Sequence, residues 1–200
     1  MESKLVAAIH DVPLNRGRRI IAIAGAPASG KSTLAQRLAR QINGSCILPM
    51  DGFHQSNEWL KSNGLFSRKG APETFDVANF ETVVRDIRKK NTVCLPTFDR
   101  DQDRVVPAGG MLEEHHHTII VEGNYLLLYI EPWTRLHEFW DLTIMLETSS
   151  QQLEKRLVQR WLDQGLSAAD AQKRAAQNDL PNGHLVEQNS IIADLIVPTT

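Results

Sequence analysis

The stretch Gly25-Ala26-Pro27-Ala28-Ser29-Gly30-Lys31-Ser32 decides the reading of this chain, because it fits the phosphate-binding loop pattern G-x-x-x-x-G-K-[ST] at every fixed position. Its flanks agree. Ile20-Ile21-Ala22-Ile23-Ala24 reads as a buried strand leading in, and Leu34, Leu38 and Ile42 fall on one face of a helix leading out. Glycine stands at both ends because the backbone must turn tightly and bring its N–H groups onto phosphate oxygens without a Cβ in the way. The following helix N-terminus faces the same anion. In this geometry Lys31 reaches the β- and γ-phosphates of a nucleotide, the Ser32 hydroxyl meets Mg²⁺, and Thr33 adds a hydroxyl toward the α-phosphate. With glycine at about 7% of residues, the pattern arises by accident in roughly one chain of this length in a hundred, so a chance turn is a poor explanation.

Two hundred residues suit one domain with at most a small lid, and 22 basic against 24 acidic residues leave a net charge of −2. That balance lacks the general basic field that nucleic acid attracts, so a small anionic ligand held locally is expected and a nucleic-acid partner is not. Cys46 and Cys94 both lie in apolar runs and are expected as reduced core residues, which points to the cytoplasm. Residues 1–16 mix charge with Leu5, Val6 and Ile9; they lack the apolar core of a signal peptide and are expected as a lead-in helix. No run of about 18 apolar residues occurs, so no membrane partner is expected. Oligomeric state is not legible, and a homodimer is compatible with the sequence.

Along the chain, Cys46-Ile47-Leu48-Pro49-Met50 reads as a second strand ending at Asp51, on the rim where ligands of parallel α/β sheets bind. The long polar connection Gly52 to Phe75 is expected to wall an acceptor site. Asp76 caps a helix carrying Phe80, Val83, Val84 and Ile87. Val93 to Phe98 reads as the next strand, with Pro96 suited to an edge, and delivers Asp99 and Arg100 into a charged loop. Three consecutive histidines, His115 to His117, cannot share one face and are expected as a solvated turn. Thr118 to Val121 is a buried strand ending in Glu122-Gly123-Asn124-Tyr125, and Asp141 to Leu146 gives another. Ser149 with Gln152 and Ser167 with Asp170 open two helices separated by Gly165; the first carries Arg156 and Arg160 four apart. Asn178 to Asn182 reads as a turn, and Ala193 to Val197 as a last short strand. Strands alternating with helices predict a three-layer α/β domain over residues 1–200, with a mostly parallel five-stranded sheet and a helical lid at about 151–182.

The strand ends collect a phosphate loop, Asp51, Asp99, Glu122 and two lid arginines. These are the parts of phosphoryl transfer: an anion cradle, a metal ligand, a carboxylate for an incoming hydroxyl, and positive charge for the equatorial oxygens. Each part has an alternative role, since Asp51 and Asp99 could cap turns, Glu122 could brace the sheet, and Arg156 with Arg160 could form a solvated helix face.

Met50-Asp51-Gly52-Phe53-His54, Lys69-Gly70-Ala71-Pro72-Glu73-Thr74-Phe75-Asp76, Pro96-Thr97-Phe98-Asp99-Arg100 and Val121-Glu122-Gly123-Asn124-Tyr125, in this order, resemble the uridine kinase, phosphoribulokinase and pantothenate kinase superfamily. The set is most similar to its branch of fructose-transport-system kinases. The resemblance runs from about Arg19 to Val197 and implies a nucleoside-kinase-like P-loop fold using ATP and Mg²⁺. It implies Asp51 as base for the acceptor hydroxyl, Ser32 and Glu122 on Mg²⁺, and Arg156 and Arg160 beside Lys31 on the phosphates. His54, Asp99, Arg100, Asn124 and Tyr125 are then expected to bind a small alcohol, by resemblance a sugar such as fructose. Asp51-Gly52-Phe53-His54 departs from the Asp-Ser-Phe-Tyr usual in uridine kinases, which turns the expectation away from a nucleoside. A pantothenate-type acceptor remains an alternative. A guanine-nucleotide switch would need an Asn/Thr-Lys-x-Asp motif, which the chain lacks. A non-catalytic nucleotide-binding regulator would not need the full set of metal ligand, base and lid.

Overall fold

A parallel strand covered by helices on both faces must be apolar on both, as Ile20 to Ala24 is. The computed structural model, which describes residues 2–199, puts this strand, β1 (Arg19–Gly25), at the centre of a five-stranded parallel sheet. It pairs on one side with β5 (Thr118–Gly123) and on the other with β6 (Leu142–Thr148). The outer strands are β2 (Ser45–Pro49) beyond β5 and β7 (Leu195–Thr199) beyond β6, giving the order β2-β5-β1-β6-β7. Register sets Ala24 beside Gly123, and Pro49 beside Glu122. The carboxyl ends of β1, β2 and β5 therefore open on one rim, as expected for a ligand site of this architecture.

Ile20, Ala22, Leu48, Ile119 and Val121 face a layer containing α4 (Val77–Ile87), α7 (Leu180–Asn189) and the 3₁₀ turn Trp133–Phe139. Ile21, Ile23, Ile120 and Ile144 face α1 (Glu2–Asp11) and α2 (Lys31–Gln41), where Leu5, Ile9, Leu34 and Leu38 complete the core. The result is the three-layer α/β arrangement the alternation predicts. Among the described residues no helix is long and apolar enough to cross a membrane.

Three details differ from the sequence reading. The run Val93–Asp99 forms a strand, β3, that lies outside the parallel sheet and pairs antiparallel with β4 (Arg104–Leu112). Pro107 and the pair Gly109-Gly110 disguise β4 in the sequence, and its side chains are largely exposed, so no apolar alternation marks it. The hairpin abuts the end of β2 so closely that a Cβ on Gly52 would stand 2.3 Å from the Pro96 carbonyl oxygen. Cys94 accordingly lies exposed on the hairpin and outside the core, whereas Cys46 is partly buried. Finally, α5 (Ser150–Asp163) and α6 (Ala168–Arg174) open on their expected caps, Ser149 and Ser167, but the expected turn at Asn178 is absent. The chain instead continues from α6 through a π-helical segment, Ala175–Asp179, into α7. Pro181 lacks the donor that an α-helical interior uses, and the wider turn ahead of it takes up the irregularity.

Arg18 pins the layers together. Its guanidinium donates to the carbonyls of His116 (3.1 Å), Ile87 (2.7 Å), Lys90 (2.6 Å), Asn91 (2.7 Å) and Glu113 (3.2 Å), joining the start of β1 to the end of α4 and the turn before β5. Replacing it by methionine leaves several of these acceptors without a partner. Arg18→Met is expected to lower unfolding free energy by about 3 kcal/mol in urea denaturation, and a loss below about 0.5 kcal/mol would show that water satisfies the carbonyls as well.

Candidate active site

The loop after β1 takes the conformation its glycines require. Gly25 has φ 154°, Ala28 φ 62° and Gly30 φ 100°, and a Cβ on Gly25 would meet Ser29 Oγ at 2.8 Å. Ser29 N donates to Ala26 O at 3.1 Å, closing the turn. Gly30 opens α2 without a side-chain cap, which leaves first-turn N–H groups for an anion.

Lys31 is buried beneath this loop, its Nζ donating to Ala26 O at 2.8 Å. Burial pulls its pKa down to about 8, against the opposing pull of Glu122 and Asp51, so it stays mainly protonated at neutral pH. Ser32 Oγ donates to Glu122 Oε1 at 2.9 Å, across the register that sets β5 beside β1. Burial pushes the Glu122 carboxyl up, and the nearby Lys31 charge opposes that shift. Serine hydroxyl and carboxylate make an all-oxygen donor set suited to a hard cation, and Mg²⁺ needs only one or two protein oxygens where phosphates and water supply the rest.

These groups open on a cavity of about 1020 Å³. Asp51 lines the same cavity, and its Oδ2 accepts from Arg100 Nη2 at 2.7 Å. Lys69 Nζ, 5.1 Å from the centroid of the Phe98 ring, donates to Asp103 Oδ1 and Asn57 Oδ1, both at 2.7 Å. The tip of the β3–β4 hairpin is thus tied to the site by two ion pairs. The His54 ring stacks on Phe75 at 4.1 Å and lies 5.0 Å from Phe98, with Nε2 4.0 Å from Asp51 Oδ1. Its Nδ1 is buried with no partner, and desolvation lowers its pKa to about 4 despite Asp51 nearby. The imidazole is neutral at physiological pH.

Around this one cavity the structure gathers Asp51, His54, Arg100, Glu122, Asn124, Arg160 and the loop residues Pro27, Ala28, Gly30, Lys31, Ser32 and Thr33. Gly25, Ala26 and Ser29 shape the loop without lining the cavity, and three expected site residues outside the loop sit elsewhere. Arg156 Nη1 donates to the carbonyls of Ala28 and Ser29, each at 3.3 Å, so it braces the loop while Arg160 alone of the pair lines the cavity. Asp99 Oδ1 accepts from the N–H groups of Asp101 and Gln102 at 3.0 Å and caps the hairpin turn. Tyr125 is fully buried, its hydroxyl donating to Gly70 O at 2.6 Å, so it holds the cavity wall from the core side. Conversely, Trp161, Asp179 and Asn182 line the cavity without having stood out in the sequence. Trp161 adjoins Arg160, which offered a hint; Asp179 and Asn182 were hidden in the stretch that reads as a turn. The three histidines hold no metal set: His116 Nδ1 accepts from Glu113 N at 2.9 Å, and among the described residues no cluster of three metal-ligating side chains occurs.

Comparison with known proteins finds relatives over most of the chain. A family model described as an AAA domain matches residues 21–174. The uncharacterized protein YggC of Escherichia coli K12 is 37% identical over 98% of this chain and 84% of its own length. A protein of Schizosaccharomyces pombe named "Putative uridine kinase C227.14" is 34% identical, covering 90% of this chain and 83% of that one. Among solved structures, a "putative fructose transport system kinase" from Silicibacter sp. TM1040 superposes with a TM-score of 0.94 at 40% identity, over 99% of each chain.

The neutral His54 makes a stability prediction. An imidazole with a lowered native pKa binds its proton less readily than in the unfolded chain, so the unfolded state gains as pH falls from about 6.5 toward 4. Over that window the native state should lose up to roughly 3 kcal/mol from this group. His54→Phe, which keeps the ring stack, should flatten that part of the pH profile in urea denaturation. An unchanged slope would mean that His54 titrates normally in the folded protein.

Proposed function

We propose that this chain, which belongs to the P-loop family matched by the AAA-domain model, is an ATP-dependent kinase that transfers the γ-phosphoryl group to a hydroxyl of a sugar-like metabolite. One observation carries the reading: Asp51 lines the same cavity as Lys31, Ser32, Glu122 and Arg160, close enough for its charge to act on Lys31 and Glu122. In the reaction Lys31 and the first turn of α2 hold the β- and γ-phosphates, and Asp51 accepts the hydrogen bond and then the proton of the attacking hydroxyl. Arg160 offsets charge developing on the equatorial oxygens. Ser32 and Glu122 are the residues that would hold Mg²⁺, which when bound neutralises charge on the β- and γ-phosphates.

The far wall supports a sugar. The rings of His54, Phe75 and Phe98 suit the C–H face of a polyol, and Lys69 and Arg100 beside them supply hydrogen-bonding groups. A nucleoside is the second reading, favoured by the same aromatic wall. Measuring ATP consumption with D-fructose, other sugars, nucleosides and pantothenate separates the two; consumption with nucleosides alone would replace the first reading by the second, and consumption with none would remove both.

Asp51 and Glu122 should separate by metal dependence. Asp51→Asn is expected to keep Mg·ATP binding while losing roughly 10²–10⁴ in kcat, the range of a positioned general base. Glu122→Gln is expected to raise the Mg²⁺ concentration needed for half-maximal activity, and a metal defect in Asp51→Asn instead would exchange the two roles.

The two arginines should also part. Arg160→Ala is expected to lower kcat about 10²-fold with little change in KM for ATP, the signature of a contact made in the transition state. Arg156→Ala should act mainly on KM for ATP, because that side chain meets the loop carbonyls. Identical kinetic profiles would return both to one shared role.

A further inference from the structure

Ser67, Lys69 and Gly70 line the cavity in one strip beyond the residues of the phosphate loop. Three backbone carbonyls of this strip are held from outside it. Gly70 O accepts from Tyr125, whereas Ser67 O accepts from Arg174 Nη1 at 3.0 Å and Lys69 O from Asn178 Nδ2 at 3.1 Å. The last two donors belong to one continuous helix and stand four residues apart, Asn178 within the π-helical segment that begins directly after Arg174. Such segments widen the turn and re-aim the side chains within it.

Asn178 is 3% exposed, and its Oδ1 is buried without a partner. An amide left half satisfied in the interior is a poor stabilising choice, so its position asks for another reason. The neighbouring residue supplies one. Asp179 Oδ2 accepts from Trp161 Nε1 at 2.5 Å, and the Trp161 ring lies 5.2 Å from the Arg174 guanidinium carbon and 5.8 Å from that of Arg160. A contiguous path of polar and ring contacts therefore runs from the acceptor wall to the arginine of the transfer site.

We infer that Arg174 and Asn178 are positioning residues that couple the acceptor wall Ser67–Gly70 to the helices carrying Arg160. The inference rests on the kinase reading above. When the phosphates draw Arg160, Trp161 and Asp179 follow with it, and the helix holds the two wall carbonyls in place. Conversely, an occupied wall fixes the helix so that Arg160 meets the γ-phosphate with acceptor present.

Hydrogen exchange on the full chain tests this without knowledge of the acceptor, using Mg²⁺ with a non-hydrolysable ATP analogue as probe. In the wild type, the analogue should protect residues 25–33 and 156–164, and also residues 66–71 of the wall strip. In Asn178→Ala, and in Arg174→Ala, where the side chain is only half-buried and folding is less at risk, the first two protections should persist. Exchange at 66–71 should then stay roughly two- to tenfold faster than in the liganded wild type, the change expected for one lost hydrogen bond. Arg174→Lys, which keeps a donor for Ser67 O, should restore part of it. Protection at 25–33 without any at 66–71 in the wild type, or equal protection of 66–71 in both alanine variants, would overturn the coupling alone. Absence of protection at 25–33 in the wild type would overturn the kinase reading and this inference with it.

Discussion

Everything in the site depends on one constraint, the parallel register of β5 against β1. Because Ile23 lies beside Glu122 and Ala24 beside Gly123, the Glu122 carboxylate arrives where α2 presents the Ser32 hydroxyl. It also brings a negative charge near the buried ammonium of Lys31. Neither charge is tolerated alone at such depth, and each shifts the other toward its ionised form. A one-residue slip would turn Glu122 into the core and strand Lys31, so the same strand pairing that builds the hydrophobic layers also assembles the phosphate site.

The parts legible in the sequence are those whose physics is local or periodic. The loop needs glycine at fixed offsets, β1 and β5 need unbroken apolar runs, and the caps Asp76, Ser149 and Ser167 signal their helices within four residues. The carboxylates Asp51 and Glu122 were readable because they end such strands on a predictable rim. By contrast, β4 carries its information in a partner strand, since a half-exposed hairpin strand with Pro107 and two glycines has little pattern of its own. The helical continuity through Pro181 was illegible for a related reason: a proline and an asparagine-aspartate pair favour a turn locally, and only packing of Asn178, Asn182 and Val186 inside the protein overrides that preference. Arg156 illustrates the limit of helical spacing. Four residues place two arginines on one face of α5, yet the loop's carbonyls capture one while the other reaches the cavity.

The proposed acceptor side is built largely from pairs distant in sequence. Arg100 meets Asp51 from 49 residues away, Lys69 meets Asp103 from 34, and Arg174 meets Ser67 from 107. Each of these contacts needs the fold to be complete, which is why composition and spacing speak clearly about the nucleotide side and only faintly about the substrate. It also means that the wall is held by discrete polar contacts more than by a packed apolar layer, the kind of construction that can yield to a ligand at modest cost.

The charges of the cavity bear on what that ligand is. Lys31, Lys69, Arg100, Arg160 and Arg174 are matched in number by Asp51, Asp101, Asp103, Glu122 and Asp179. On the acceptor side the matching is by contact, since Arg100 is paired to Asp51 and Lys69 to Asp103. A substrate bearing a carboxylate or phosphate would have to break one of these pairs to find a counter-charge, leaving a carboxylate of the protein facing the incoming anion in a partly desolvated site. An uncharged polyol needs no such exchange. It can accept from Arg100 and Lys69 and donate to Asp51 while both ion pairs persist, which is why the proposed acceptor is a neutral sugar.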